Sequence, residues 1–447
     1  MTNTLNKKPA FHITGETGWI NDPNGLVFFK GKYHAFFQYY PYDVKWGPMH
    51  WGHVVSSDLT HWEYLPIALT PTFEDGCFSG TAIVDNDKLY LLYTGFNENG
   101  GGDNIRQVQC LAESEDGVNF KKHGVVIDSD KLPKGYSPCD FRDPKIWKEG
   151  KTFYCAVAVK RLGGKGRIII FESNNLFDWQ FKFDLFGKDG LGEMIECPDY
   201  NKELGLLFYS EQFQPAQDYM HLNVHTTRWC VGEMDLTNNK FLSKTEGIVD
   251  YGFDFYAPQT FSEKDIIIGW MNMWDRNIPS AKHGFAGMLT TPRKISVVNN
   301  QLYQEPILKT KKVLSQVVEN ALTDNIEVGV IKIKAVDLNK LSIKLRSNEN
   351  AYTSLVLEGD KWVFDRSKSG EKIVGVEKDQ DSLNGIRRMP FSGGKECELT
   401  LVMDKYSVEI FEGGKSLTAT IYPPENAFEL RLEVDAKSCE YIREEIV

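Results

Sequence analysis

The feature that most constrains how this chain can fold is a repeat. Five times between residues 19 and 293, a short polar head leads into an apolar strand, a tight charged turn, and a second strand rich in Tyr, Phe, Ile and Leu. The heads are Asn21-Asp22-Pro23, Phe78-Ser79-Gly80, Arg142-Asp143-Pro144, Glu196-Cys197-Pro198 and Ala257-Pro258-Gln259. The turns fall at Lys30-Gly31, Asn86-Asp87, Glu149-Gly150, near Lys202-Glu203, and at Glu263-Lys264, which is the turn chemistry of paired antiparallel strands. Successive heads lie roughly sixty residues apart.

A second landmark keeps the same period: Ser57-Asp58-Leu59 before Trp62, Ser114-Glu115-Asp116 before Phe120, and Ser173-Asn174-Asn175 before Trp179. A unit of about four strands with a fixed head reads as a propeller blade. The expectation is an all-β chain: a five-bladed β-propeller over residues 1–306, a linker with some helix over 307–319, and a β-sandwich over 320–447. The sandwich is read from period-two alternation, as in Leu341-Ile343-Leu345 and Phe428-Leu430-Leu432-Val434, with breaks at Gly393-Gly394, Gly413-Gly414 and Pro423-Pro424. An aromatic content of 13% and 38 glycines among 447 residues suit that class.

Composition then removes several functions. The formal net charge is -11 with no Lys/Arg cluster, which argues against nucleic acid as a partner. Residues 1–15 lack an apolar run behind their lysines and no stretch is apolar long enough to span a bilayer, so the reading is a cytoplasmic protein without a membrane partner. Eight cysteines are scattered singly and are expected to be reduced and mostly buried. His50 and His53 lack a third ligand, and Gly100-Gly101-Gly102 lacks the strand-to-helix context of a phosphate loop. No metal and no cofactor are expected, and the sequence sets no oligomeric state.

In a propeller the innermost strands line the axis, so the heads converge at one end of the channel. Three of them carry acids: Asp22, Asp143 and Glu196. Each tetrapeptide alone is bland, since Asp22-Pro23-Asn24-Gly25 is simply a good turn and Arg142-Asp143-Pro144 a common ion pair at a strand start. Together, in order, each heading a blade and with Trp19, Trp46 and Phe78 nearby, they suit a sugar. Glycoside cleavage needs one acid for the leaving oxygen and one carboxylate on the opposite face. Crowding is expected to raise the pKa of the acid with fewest donors, read here as Glu196.

These residues resemble glycoside hydrolase family 32, the invertases, fructan exohydrolases and sucrose-6-phosphate hydrolases. The resemblance rests on Trp19-Ile20-Asn21-Asp22-Pro23-Asn24-Gly25, Phe141-Arg142-Asp143-Pro144 and Glu196-Cys197-Pro198-Asp199, with His50-Trp51-Gly52-His53, His61-Trp62-Glu63, Phe78-Ser79-Gly80 and Phe255-Tyr256-Ala257-Pro258-Gln259 in support. It implies Asp22 as nucleophile, Glu196 as general acid/base and Asp143 as stabiliser of the transition state. It also implies a fructose subsite of Asn21, Gln38, Trp46, Phe78, Ser79, Arg142 and Tyr256, with Trp19 and Trp274 as aromatic walls. Ile195 and Tyr200 depart from the family pattern and are expected to alter the leaving-group pocket.

The function expected is retaining hydrolysis of terminal β-fructofuranosides: sucrose, sucrose 6-phosphate and short fructo-oligosaccharides. Alternatives are an exo-acting inulin or levan hydrolase, an inverting five-bladed arabinanase or xylosidase, and a non-catalytic fructan-binding subunit. The segment around Trp274 and Arg276 is where leaving-group selectivity is expected, with Arg276 as the candidate phosphate anchor.

Overall fold

A computed structural model of the chain describes residues 7–185 and 191–447. The strands of the repeat form five four-stranded antiparallel blades. Blade 1 is Gly18–Phe29, Lys32–Tyr40, His50–Ser56 and Glu63–Leu69; blade 2 is Gly76–Asp85, Lys88–Asn97, Arg106–Ser114 and Lys121–Ile127. Blade 3 is Tyr136–Glu149, Thr152–Arg161, Gly166–Ser173 and Gln180–Asp184; blade 4 is Ile195–Asn201, Leu206–Gln212, His225–Asp235 and Lys240–Ile248. Blade 5 is Tyr256–Thr260, Ile266–Trp270, Arg293–Val298 and Gln301–Pro306. The ring closes where Phe285–Ala286, between the second and third strands of blade 5, pairs in parallel with Gly18 and Trp19 of blade 1.

The turns take the conformations their residues allow. Lys30 and Gly31, like Asn86 and Asp87, all have positive φ, which lets a two-residue hairpin match the strand twist. The second landmark is a side-chain-capped turn. Ser56 Oγ accepts from Leu59 N at 2.8 Å and Asp58 Oδ1 accepts from His61 N at 2.9 Å. Ser114 with Asp116, and Ser173 with Asn175, repeat that arrangement in blades 2 and 3. The serine in register is therefore Ser56, one residue before the Ser57 read from sequence.

Both faces of the blades pack, which is why strands such as Ile168 to Phe171 are apolar at every position. Five buried clusters fill the spaces between blades. Val27, Phe36 and Trp51 meet Leu91 and Tyr93; Ile83 and Leu111 meet Phe141 and Val157; Ile168 and Ile170 meet Tyr200 and Leu207; Phe208 and Trp229 meet Phe255 and Ile267; Phe261 and Ile268 meet Ile20 and Phe37.

The C-terminal domain is a β-sandwich around Ile331, Ile343, Leu345, Trp362, Leu401 and Leu432. Two long strands, Gly329–Ser347 and Glu429–Ile446, pair along most of their length and run through both layers. Residues 307–319, expected as a partly helical linker, instead contain the strand Thr310–Val317, which pairs with residues 440–446. Its exposed, lysine-rich sequence carries little hydrophobic signal, and the pairing comes from a partner far away in the chain. All eight cysteines are unpaired and seven are buried. Among the described residues no helix is long and apolar enough to cross a membrane.

Candidate active site

Every head is a β-bulge. In blade 1, Ile20 opposes Tyr39 and Pro23 opposes Phe37, so Asn21 and Asp22 together face the single residue Gln38. The same two-against-one count holds for Asp143-Pro144 against Val157, Cys197-Pro198 against Tyr209, and Ala257-Pro258 against Gly269, while Ser79 is the extra residue of blade 2. Asp143, Cys197 and Ala257 hold positive φ there. Bulges bend a strand and re-aim its side chains, and proline is tolerated because the innermost strand is an edge with no N–H to spend.

The bulges bring the three acids together. Ser79 Oγ donates to Asp22 Oδ2 at 2.6 Å, Asn21 Nδ2 lies 3.2 Å from Asp22 Oδ1, and the Cys197 thiol lies 3.4 Å from Asp22 Oδ2. The Cys197 backbone N donates to Asp143 Oδ2 at 2.9 Å, and Asp143 N donates to Thr94 Oγ1 at 2.9 Å. Arg142 Nη2 donates to Glu196 Oε1 at 3.0 Å and Tyr256 Oη to Glu196 Oε2 at 2.6 Å. Asp143 is buried, while Asp22 and Glu196 remain partly open to solvent.

The charges distribute differently from the expectation. Burial raises Asp22, and the Glu196 charge adds to it against donors from Ser79, Asn21 and Cys197. Burial also pushes Asp143 up to about 7; Arg142 opposes that, and the Glu196 and Asp22 charges reinforce it. For Glu196 burial is again the largest influence, but Arg142, Tyr256 and His225 together outweigh it and hold the carboxyl below the ordinary glutamate range. The raised acids are thus Asp22 and Asp143, not Glu196, because the arginine beside Asp143 in sequence directs its shortest charged contact to Glu196.

The aromatic residues form two walls. Trp19 donates from Nε1 to Asn21 Oδ1 at 2.9 Å and stacks on Trp274 at 5.9 Å between ring centres. Phe78 stacks on Phe96 at 4.5 Å, and the half-exposed Trp46 meets its edge at 5.8 Å. Gln38 is buried, and its amide donates to Cys77 O at 3.0 Å, tying blade 1 to blade 2. Sequence reasoning missed Cys197 as a donor to two acids, Thr94, Phe96, and His225, whose ring lies 5.5 Å from that of Tyr256. Cys197 was legible as part of a head; Thr94 and His225 lie in ordinary strand sequence.

Three expectations about the leaving-group side fail. Arg276 is buried between the domains, bonded to Asp254, Phe253 O and Glu377, and so cannot anchor a phosphate. Ile195 and Tyr200 lie in the core between blades 3 and 4, Tyr200 against Trp147, because alternate residues of an inner strand face the neighbouring blade. His34 and His53 face each other at 3.0 Å, and among the described residues no group of three or more His, Cys, Asp or Glu side chains has metal-holding geometry.

Below the acids the channel is crossed by a polar plug. Lys145 Nζ lies 2.7 Å from Asp199 Oδ2, Thr260 Oγ1 donates to Asp199 Oδ1 at 2.6 Å, Gln259 donates to Gly80 O, and Thr81 donates to Pro144 O. These bonds join blades 2, 3, 4 and 5 across the axis.

The sequence matches the model of the "Glycosyl hydrolases family 32 N-terminal domain" over residues 12–306 and that of the "family 32 C terminal" over 296–445. A sucrose-6-phosphate hydrolase of Zymomonas mobilis is 36% identical over 95% of this chain and 88% of its own. A raffinose invertase of Escherichia coli is 32% identical, covering 95% of this chain and 91% of its own. Among solved structures, a family 32 beta-fructofuranosidase of Bombyx mori superposes with a TM-score of 0.84 at 31% identity, over 99% of this chain and 94% of its own.

Proposed function

The chain belongs to glycosyl hydrolase family 32, and from that premise we propose that it is a retaining β-fructofuranosidase acting on small sugars. Asp22 attacks the anomeric carbon of a terminal fructose, and Glu196 protonates the departing oxygen and then takes a proton from the water that releases fructose. Asp143 grips fructose hydroxyls, most tightly at the transition state. Asn21, Gln38, Ser79, Arg142 and Tyr256 surround the fructose, with Trp46 and Phe78 on one side and Trp19 and Trp274 on the other. The observation that carries this reading is the joining of the three acids, each from a different blade, through Arg142 and Cys197.

Cross-blade bonds that close the channel beyond the acids favour removal of a terminal unit over cleavage within a polymer. Sucrose, sucrose 6-phosphate and short fructo-oligosaccharides are therefore the proposed substrates, with inulin and levan much poorer. The names of the relatives from Zymomonas mobilis and Escherichia coli point the same way. The test is to incubate the enzyme with these sugars and follow the first fructose released by NMR. β-Fructofuranose appearing before mutarotation supports retention. The α-anomer as first product, or faster turnover of long inulin, would overturn the proposal.

A further inference from the structure

The innermost strand of blade 3 pairs with a neighbouring strand on one side only, so the backbone groups of its head need partners from elsewhere. They come from two glutamines of blade 2, spaced two apart on one strand and therefore on one face of it. Gln107 Oε1 accepts from Phe141 N at 2.8 Å, and Gln109 Nε2 donates to Phe141 O at 2.9 Å. Gln109 Oε1 in turn accepts from Thr94 Oγ1 at 3.0 Å, and Thr94 Oγ1 accepts from Asp143 N at 2.9 Å. All three side chains are buried.

Blade 1 holds the blade 2 head through donors, Gln38 to Cys77 O and Trp51 Nε1 to Phe78 O. At blade 3 the clamp adds an acceptor beside the head's own arginine: Gln107 Oε1 also lies 3.4 Å from Arg142 Nη1. The guanidinium is thus held on each side. Nη1 faces Gln107 and, at 3.5 Å, Asp140; Nη2 reaches Glu196 at 3.0 Å; and Nε stands 3.9 Å from Asp143. A guanidinium is a rigid planar fork, so a hold on Nη1 directs Nη2. Gln107 is neutral and leaves the charge to the acids. The charged groups facing Arg142 are Glu196, Asp143 and Asp140, and the titratable groups facing Glu196 are Arg142, Tyr256 and His225, with Asp22, Asp143 and Cys197 on the other heads and beside it.

We propose that Gln107 is a positioning residue for the acid/base: it keeps Arg142 turned towards Glu196 instead of its sequence neighbour Asp143, with Gln109 and Thr94 holding the bulge rigid behind it. Asp143 has positive φ in that bulge, a conformation that a non-glycine residue keeps where its surroundings fix it. Without the hold on Nη1, Glu196 loses a fixed positive charge, its carboxyl rises, and the alkaline limb of the rate moves to higher pH. The assignment rests on the fructofuranosidase reading and goes beyond it by naming a residue that serves the reaction only through Arg142.

The experiment measures kcat and KM for sucrose against pH, with Tm alongside, in wild type, Gln107→Met, Arg142→Lys and the double variant. Gln107→Met keeps the length of the side chain and removes its acceptor. It should lower kcat about tenfold with KM little changed and move the alkaline limb up by about one pH unit, each the equivalent of one lost hydrogen bond. Added to Arg142→Lys, the same substitution should do little more, because the fork it aims is already gone. A lower Tm with an unmoved limb, or an equal fractional loss of kcat/KM in both backgrounds, would overturn the assignment and leave Gln107 as a backbone clamp alone. Gln107→Glu covers a methionine variant that does not fold. It keeps an acceptor for Phe141 N, but its carboxylate draws the guanidinium from Glu196, so the limb should again rise, and an unmoved limb there overturns the assignment too. A wild type that releases no fructose from sucrose would sink the reaction itself and the glutamine's part in it.

Discussion

The Arg142 guanidinium donates to Glu196 at 3.0 Å while lying 3.9 Å from Asp143, the residue next to it in sequence. The favoured place for negative charge in the pocket is therefore Glu196, and the proton of the crowded set rests on the two aspartates. Asp143, pushed up to about 7, keeps that proton near neutrality.

The pH profile follows from the sign of these shifts. The productive form needs one proton on the set of three, carried by Glu196 at the moment of cleavage, with Asp22 ionised. That proton is lost as pH rises through about 7, so kcat/KM for sucrose should fall on the alkaline side from there. Rates measured across the acid and alkaline limbs check this. A profile that already declines well on the acid side of neutrality would show that the acids titrate independently.

Tyr256 tests the support of Glu196 specifically. Its hydroxyl donates to Glu196 Oε2 at 2.6 Å and stabilises the charged form. Tyr256→Phe should raise the Glu196 pKa, move the alkaline limb to higher pH, and lower kcat/KM about tenfold through the lost hydrogen bond. A lower rate with an unmoved limb would mean that the hydroxyl only holds substrate.

Asp22→Ala and Glu196→Ala should each reduce turnover of sucrose by about 10⁴-fold or more, since both act in the bond-breaking step. Circular dichroism and Tm should change little, because both side chains stand at the partly open end of the channel. Near-native activity in Asp22→Ala would remove it as nucleophile.

Much of this arrangement is legible in the sequence because bulge heads, prolines and hairpin turns are local and repeat in register. Lys30-Gly31 and Asn86-Asp87 announce their own backbone conformation. What is not legible depends on partners far away in the chain. Nothing near Arg276 foretells burial against Asp254 and Glu377, and nothing in residues 310–317 marks a strand completed by residues 440–446. The misread acid has the same origin: Arg142 beside Asp143 looks like its partner, but the bulge turns the guanidinium to the next blade.

Asp143 should carry a cost to the fold that depends on pH. Its folded pKa lies near 7, above the ordinary 3.8, so the native state prefers it protonated. Relative stability is greatest below the unfolded value and is lost as pH rises through the folded one. Asp143→Asn removes the buried charge, so it should raise Tm at about pH 8 and change it little at about pH 4, while activity falls. Equal Tm differences at both pH values would contradict the raised pKa.

His12 provides the opposite case, at the joint between the domains. Its ring nitrogens lie 2.8 Å from Asp404 Oδ2 and 3.0 Å from Glu409 Oε1, with all three side chains fully buried. Burial opposes a charged imidazole, yet the two carboxylates prevail and raise His12 from 6.5 to about 9. Glu409 also accepts from Arg293 Nη2 at 2.7 Å, and Arg293 reaches Asp250 at 3.1 Å, so the imidazolium completes a charge network joining the N-terminal segment, blade 5 and the sandwich. With a folded pKa above the unfolded one, its contribution is fully present below about 6.5 and is lost as pH rises through about 9. His12→Gln should therefore destabilise the protein by about 3 kcal/mol at about pH 6, the cost of breaking a buried pair, and by much less at about pH 10. Urea unfolding of both proteins at the two pH values measures the gap, and a gap of equal size at both would mean that His12 packs there as a neutral ring.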